Sequence, residues 1–302
     1  MVQRLRESES LETGLRRLAV EGIDTALAAL DGTDGHDVAI HSVRKQCKKS
    51  RALLRLFRFG IGAARRKECR FFRDLGRSLS AVRDGKVALD VHAMLLERYG
   101  AMLDPAVGAG VRQQLIADVQ AVGSAAEGSG LKPPDDDTLR QRLLSARLRA
   151  RRWKLGADDD RLLRKGLART YRRGRDAARH AAASGAKEHF HESRKRAKDY
   201  WYQLDLVARR WPDAALKRIG PTRKLTEVLG EAHDLEIYCN AIRNAAAARN
   251  PEATEILSAL AERRARELET ESVALAREVF AEKPKRFVAE LERPRPLQQA
   301  AG

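Results

Sequence analysis

An all-α fold is predicted for this chain, on three observations. Alanine, leucine, arginine and glutamate recur with apolar residues three and four positions apart, the spacing that lines one side of a helix. Alternating apolar and polar runs, which would mark half-buried strands, are almost absent. Glycine, proline, serine and aspartate gather at intervals that suit helix boundaries.

Those intervals divide the chain in order. The first helix is expected to stop at Asp31 to Gly35, and the second, with Val43, Cys47, Leu54, Phe57 and Ile61 along its core side, at Gly60 to Ala64. The next stretch has Phe71, Leu75 and Leu79 as apolar positions and leads to breaks between Gly100 and Gly110. From Gly123 to Thr138 glycine, serine, paired proline and an acidic run oppose regular structure and divide the chain near its middle. Further breaks at Gly156 to Asp160, at Ser184 to Lys187 and around Pro212, Pro221, Pro251 and Pro284 complete roughly ten helices. Three prolines beyond Lys283 make residues 284–302 a loosely held tail in this reading.

One pattern occurs twice. His41-Ser-Val-Arg44-Lys45-Gln-Cys-Lys48 and His191-Glu-Ser-Arg194-Lys195-Arg-Ala-Lys198 each open a helix and stand 150 positions apart. Leu75, Leu79, Asp84 and Val87 answer to Leu225, Leu229, Asp234 and Ile237 at the same offset, with Arg83 where the second copy has His233. The expected architecture is therefore two helical bundles of about four to five helices each, related by a pseudo-two-fold internal repeat. The first half covers residues 1–130 and the second 131–283, and together they form one domain.

Lysine and arginine number 59 against 42 acidic residues, giving a net charge of +17, and a field of that sign recruits polyanions. Nucleic acid, an anionic membrane surface and a phosphate polymer are all compatible with net charge alone. No stretch approaches the roughly 18 apolar residues of a membrane span, and MVQRLRESES lacks the apolar core of a signal peptide, so a cytoplasmic protein without membrane insertion is expected. The three cysteines, Cys47, Cys69 and Cys239, lie far apart and suggest neither a disulfide framework nor a zinc cluster.

The charge is patterned. Opposite the apolar side of the second helix stand His41, Arg44, Lys45, Lys48, Arg51 and Arg55, with no carboxylate interposed to form i,i+4 pairs. Like-charge neighbours on a helix cost a few tenths of a kcal/mol per pair, a penalty that a bound anion removes. The second copy groups His191, Arg194, Lys195 and Lys198, with Ala197, Tyr200, Leu204 and Val207 towards the core. Arg66, Arg70, Arg73 and Arg77 make a further row, and Arg169, Arg172 and Arg173 another; Arg17 completes the candidate set. Guanidinium forks, mobile ammonium groups and imidazole donors together suit a chain of phosphates.

Two other chemistries are compatible with parts of this pattern. Duplex nucleic acid could be held by phosphate contacts alone, whereas single-strand binding needs exposed aromatics and only 15 of 302 residues are Phe, Trp or Tyr. Glu188-His189-Phe-His191-Glu192 and His233-Asp234 are similar to motifs of helical metal phosphohydrolases. No aspartate follows Asp234, however, and Arg83 cannot serve as an ordinary ligand. No metal, cofactor or catalytic residue is expected.

The segments HSVRKQCKKSRALLRLF from His41, LARTYRRGR from Leu167, HESRKRAKDYWYQLDLV from His191 and LTEVLGEAHDLEIY from Leu225 resemble the CHAD family, the conserved histidine α-helical domains. The resemblance covers essentially the whole chain. It implies two helical bundles around a basic surface or pore that binds inorganic polyphosphate, and association with polyphosphate granules. It also implies that His41, Arg44, Lys45, Lys48, Arg51, His191, Arg194, Lys195 and Lys198 are binding residues, joined by Arg172, Arg173 and Arg175 of the basic Tyr-x-x-Gly-Arg segment. Asp199-Tyr200 departs from the leucine and arginine common in the family after Lys198, which shortens the second stripe.

Overall fold

The structure, a computed structural model, describes residues 4–33, 35–102, 108–117, 134–157, 159–245 and 251–292. Among these, all regular structure is helical: α1 (Leu11–Asp31), α2 (His36–Leu56), α3 (Ala64–Ser78), α4 (Ser80–Tyr99, extended by a 3-10 turn), α5 (108–117), α6 (Asp136–Ala150), α7 (Asp160–Ser184), α8 (Lys187–Val207), α9 (Pro212–Ala245), α10 (Pro251–Val279) and α11 (Pro284–Glu292). No helix among the described residues is long and apolar enough to cross a membrane. The break expected from Gly123 to Thr138 lies mostly outside the described residues.

Local chemistry explains several boundaries. Ser10 caps α1 by accepting from Thr13 N, Asp135 caps α6 by accepting from Thr138 N at 2.7 Å, and Asp159 caps α7 by accepting from Arg161 N at 2.7 Å. Each such cap is worth about 0.5–2 kcal/mol. α7 stops at Gly185, whose φ of 64° favours a residue without a side chain. Gly166 is required for a different reason. A Cβ there would lie 1.9 Å from the Leu56 carbonyl oxygen, so its absence lets α7 cross the end of α2 backbone to backbone.

The apolar side predicted for α2 is the buried one, with Val43, Cys47, Leu54, Phe57 and Ile61 all in the core. That core is a single cluster running from Leu5 to Leu291 through α1, α2, α3, α6, α7, α8, the first half of α9, the end of α10 and α11. A second, smaller cluster joins α4, α5, α9 and α10 through Val87, Leu95, Leu115, Leu235, Tyr238 and Leu257.

This packing departs from the sequence reading in three places. α6, assigned to the second half by a boundary at 130, lies on α1 and is tied to it by Arg147–Asp24 at 2.7 Å and by Arg140–Asp31. Residues 284–292 are not a loose tail: α11 packs on α7, burying Phe287 and Leu291, and Arg218 grips Glu290 at 2.6 Å while lying over the Phe287 ring. Pro221 does not break its helix. α9 runs through it, and the cost of an interior proline, about 3 kcal/mol, is offset by burial of Ala214 and Ala215 before it and of Leu225, Val228 and Leu229 after it.

A cationic cleft between four helices

α2 and α8 cross, and α4 and α9 flank the crossing. Gln203 Nε2 donates to the Ala52 carbonyl at 3.0 Å, and Arg55 Nη1 reaches both Asp199 oxygens, at 2.5 and 2.7 Å. On one side of the crossing lies a cavity of about 620 Å³. Its lining includes His41, Arg44, Lys45 and Lys48 from α2, Arg194, Lys198 and Trp201 from α8, Asp84 and Val87 from α4, and His233 and Asp234 from α9.

The matched residues Lys48 and Lys198 converge here. Burial pushes the Lys48 ammonium down to about 7, and Lys198, Arg194 and Arg44 add to the effect; Lys198 is pushed down to about 8 by burial and then by Arg194. Burial also lowers Arg194, whose Nε has no hydrogen-bond partner among the described residues. Asp234 is the carboxylate that partly offsets these charges. Arg44 is aimed by a 2.7 Å bond from its Nη1 to the Gly76 carbonyl. Two other lining carboxylates are engaged by arginines: Glu227 by Arg223 at 2.8 Å and Glu231 by Arg264 at 3.0 Å. Asp84 and Asp90 complete the acidic lining, so five cations (Arg44, Lys45, Lys48, Arg194 and Lys198) share the cavity with five carboxylates, and its positive character comes from Arg223 and Arg264, which hold two of those carboxylates from outside the lining.

The remaining candidates separate into groups. His41 and Lys45 are exposed where they line the cavity, and Lys195 is exposed beside it. Arg51 is half-buried, and burial followed by Arg55 lowers its pKa. Arg55, expected as a free cation, is instead paired with the buried Asp199, a partner 144 positions away. Arg169 and Arg173 approach Arg58 and Arg65 to form a second cationic cluster at the end of α2, and Arg172 projects to solvent from α7. Arg73 pairs with Asp74 at 2.8 Å, and both Arg73 and Arg77 lie on α3 outside the cavity. Arg175 turns away, donating from Nε to the Phe280 carbonyl at 3.1 Å and lining a separate groove between α7 and α10. Arg17 does not join the site. Glu9 clamps it at 2.5 and 2.8 Å and Glu21 at 2.8 Å, which raises its pKa, and its Nη2 also donates to the Arg4 carbonyl.

One grouping was not expected. His191 Nε2 lies 2.6 Å from Glu236 Oε2 and 2.8 Å from His233 Nδ1, and the two rings stand at 83° with centroids 4.3 Å apart. Burial, then Arg194 and His191, push His233 down to about 3. The i,i+3 spacing of His233 and Glu236 on one helix face was visible in the sequence; their meeting with His191 on another helix was not.

Fold and site together define an all-helical domain built around a cationic interhelical cleft. Residues 17–243 match the CHAD domain family, and the chain belongs to that family. Its architecture is similar to the crystal structure of the CHAD domain from the plant Ricinus communis, at 18% sequence identity and a TM-score of 0.55, covering 98% of this chain and 96% of that one. No curated protein matches the chain.

Proposed function

We propose that this protein is a non-enzymatic binder of inorganic polyphosphate, held in the cleft between α2 and α8, with a place at polyphosphate granules in the cytoplasm. The observation that carries the reading is the convergence of Lys48 and Lys198 from matched motifs into one cavity, where burial and neighbouring cations depress the protonation of both. Such an arrangement is costly when empty and is relieved by a polyanion. Desolvated charge-assisted contacts contribute about 1.5–3 kcal/mol each, against about 0–1 for an exposed pair, so a few inside the cavity outweigh many on the surface. The second cluster at Arg58, Arg65, Arg169 and Arg173 extends the cationic track past the crossing for a long polymer. Other phosphate polyanions share this chemistry, and nucleic acid is the competitor to test.

The test is a polyphosphate-binding titration of the full chain with duplex DNA as competitor. Wild type should bind, DNA at equal phosphate concentration should displace little, and Lys48→Met with Lys198→Met should weaken binding at least a hundredfold. Thermal stability should rise in the same variant, because two buried like charges are gone. Binding unchanged in this variant would reject the cleft as the site.

A further inference from the structure

The turn between α2 and α3 is unlike the rest of the surface. Phe59, near its tip, is 48% exposed, and among the described residues no other Phe, Tyr or Trp is exposed. Gly62, Ala63 and Ala64 beside it are exposed too, so the chain from 59 to 64 shows solvent no polar side chain. The turn is braced. Ile61 is buried, the Gly60 carbonyl accepts from Gly156 N at 3.0 Å, and a Cβ on Gly60 would lie 2.7 Å from Leu162 Cδ1.

Cations flank this apolar tip on both sides. Arg58 precedes it and lies over the Phe59 ring, 5.4 Å from the centroid, while Arg65, Arg66 and Lys67 follow it in the first turn of α3. That turn is the positive end of a helix, where acidic residues are favoured and cations are not. It has neither an acidic residue nor a side-chain cap, so α3 begins with three charges that its own dipole opposes. Burial, then Arg169, Arg65 and Arg173, lower the Arg58 pKa. The nearby carboxylates are already engaged: Glu68 by Arg149 at 2.8 Å, Asp159 by Arg161 N at 2.7 Å and Asp160 by Arg210.

We propose that this turn docks the protein on an anionic bilayer surface, with Phe59 seated at headgroup level and Arg58, Arg65, Arg66 and Lys67 on lipid phosphates. Such a surface offers in one plane what the tip displays a use for, an apolar boundary and a layer of negative charge. A phosphate polymer offers the second without the first. Single-stranded nucleic acid needs successive aromatic platforms, and here one ring stands alone with a guanidinium over it. Each cation near an anionic surface strengthens attachment roughly fivefold, and the ring adds about tenfold. The association is therefore reversible and sensitive to salt, and needs no spanning helix. None of these residues lines the cavity between α2 and α8, so the proposal does not depend on the polyphosphate reading.

Vesicle sedimentation of the full chain tests this, with phosphatidylcholine alone and with phosphatidylglycerol at about one lipid in four. The chain should sediment with the mixed vesicles, stay in solution with the neutral ones and be released by salt. Phe59→Ser should weaken partitioning about tenfold while leaving the polyphosphate titration unchanged, and Arg66→Glu with Lys67→Glu should weaken it at least as much. In Phe59→Trp, brominated lipid should quench emission beyond the quenching seen in wild type. Equal partitioning of Phe59→Ser and wild type, absence of added quenching in Phe59→Trp, or equal sedimentation with neutral vesicles would overturn the proposal. Preference for single-stranded DNA over mixed vesicles at equal phosphate, lost in Phe59→Ser, would assign the turn to nucleic acid instead. Vesicle binding by a chain that takes up no polyphosphate would support the docking turn and reject the polyphosphate reading.

Discussion

From His41 to Lys48, α2 carries the same order of cations as α8 from His191 to Lys198, but the residues that follow differ. α2 continues with Arg51 and Arg55, whereas α8 continues with Asp199, Trp201 and Tyr202. The shared turns deliver Lys48 and Lys198 to one cavity. The turns that differ make the crossing, because Asp199 receives Arg55. Shifted by 150, that pair becomes Asp205 and Lys49, and these two also act on one another with the charges exchanged. On the proposed reading, matched cations that face the cavity serve the ligand, while cations with a counter-ion on the partner helix serve the fold.

Salt separates the two groups most strongly. If about 6–10 phosphates are contacted, polyphosphate affinity should fall roughly 10³–10⁵-fold between 50 and 200 mM salt, while the melting temperature changes little because the crossing pair is buried. A slope near zero in a titration series would remove the ionic cleft. Asp199→Ala is the next largest change. It leaves Arg55 without its carboxylate in a buried setting, while Arg196 keeps Glu192, and should cost about 3–5 kcal/mol in urea unfolding. A loss below about 1 kcal/mol would show that the crossing does not depend on it.

Protonation gives a smaller and two-sided effect. Lys48 and Lys198 are held near 7 and 8 in the folded chain, below their ordinary value of 10.5. The unfolded chain therefore binds more protons between about pH 7 and 10, and stability of the free protein rises across that window. The cavity loses charge over the same range, so polyphosphate affinity should fall about tenfold from pH 7 to 9, with proton uptake on binding measurable by calorimetry in buffers of different ionisation enthalpy. Constant affinity across that range would mean that neither lysine meets the polymer. The smallest effect is expected for Arg73→Ala, whose partner is Asp74 on an exposed helix: affinity should change less than about twofold in the same titration.

Period and repetition made the faces legible. Spacing alone put Val43, Cys47, Leu54 and Tyr200 inside and His41, Lys45 and Lys195 outside, and the offset of 150 paired Lys48 with Lys198. What escaped were contacts between side chains far apart in sequence. Arg17 looks like any helical cation until Glu9, in the loop before α1, folds onto it. Asp199 reads as an interruption of the second stripe and is in fact the partner of the first. Prolines near residue 284 suggested a frayed end, but Phe287 and Leu291, four apart, carry the amphipathic signal that outweighs them.

The docking of α11 has a consequence for biosynthesis. The larger core includes Leu5 and Leu291, and Tyr171 and Tyr200 both meet Phe287. Domains generally fold as units during synthesis. Here the central aromatic layer stays open until Phe287 and Leu291 have been translated, so the nascent chain carries an unsealed apolar face until α11 emerges.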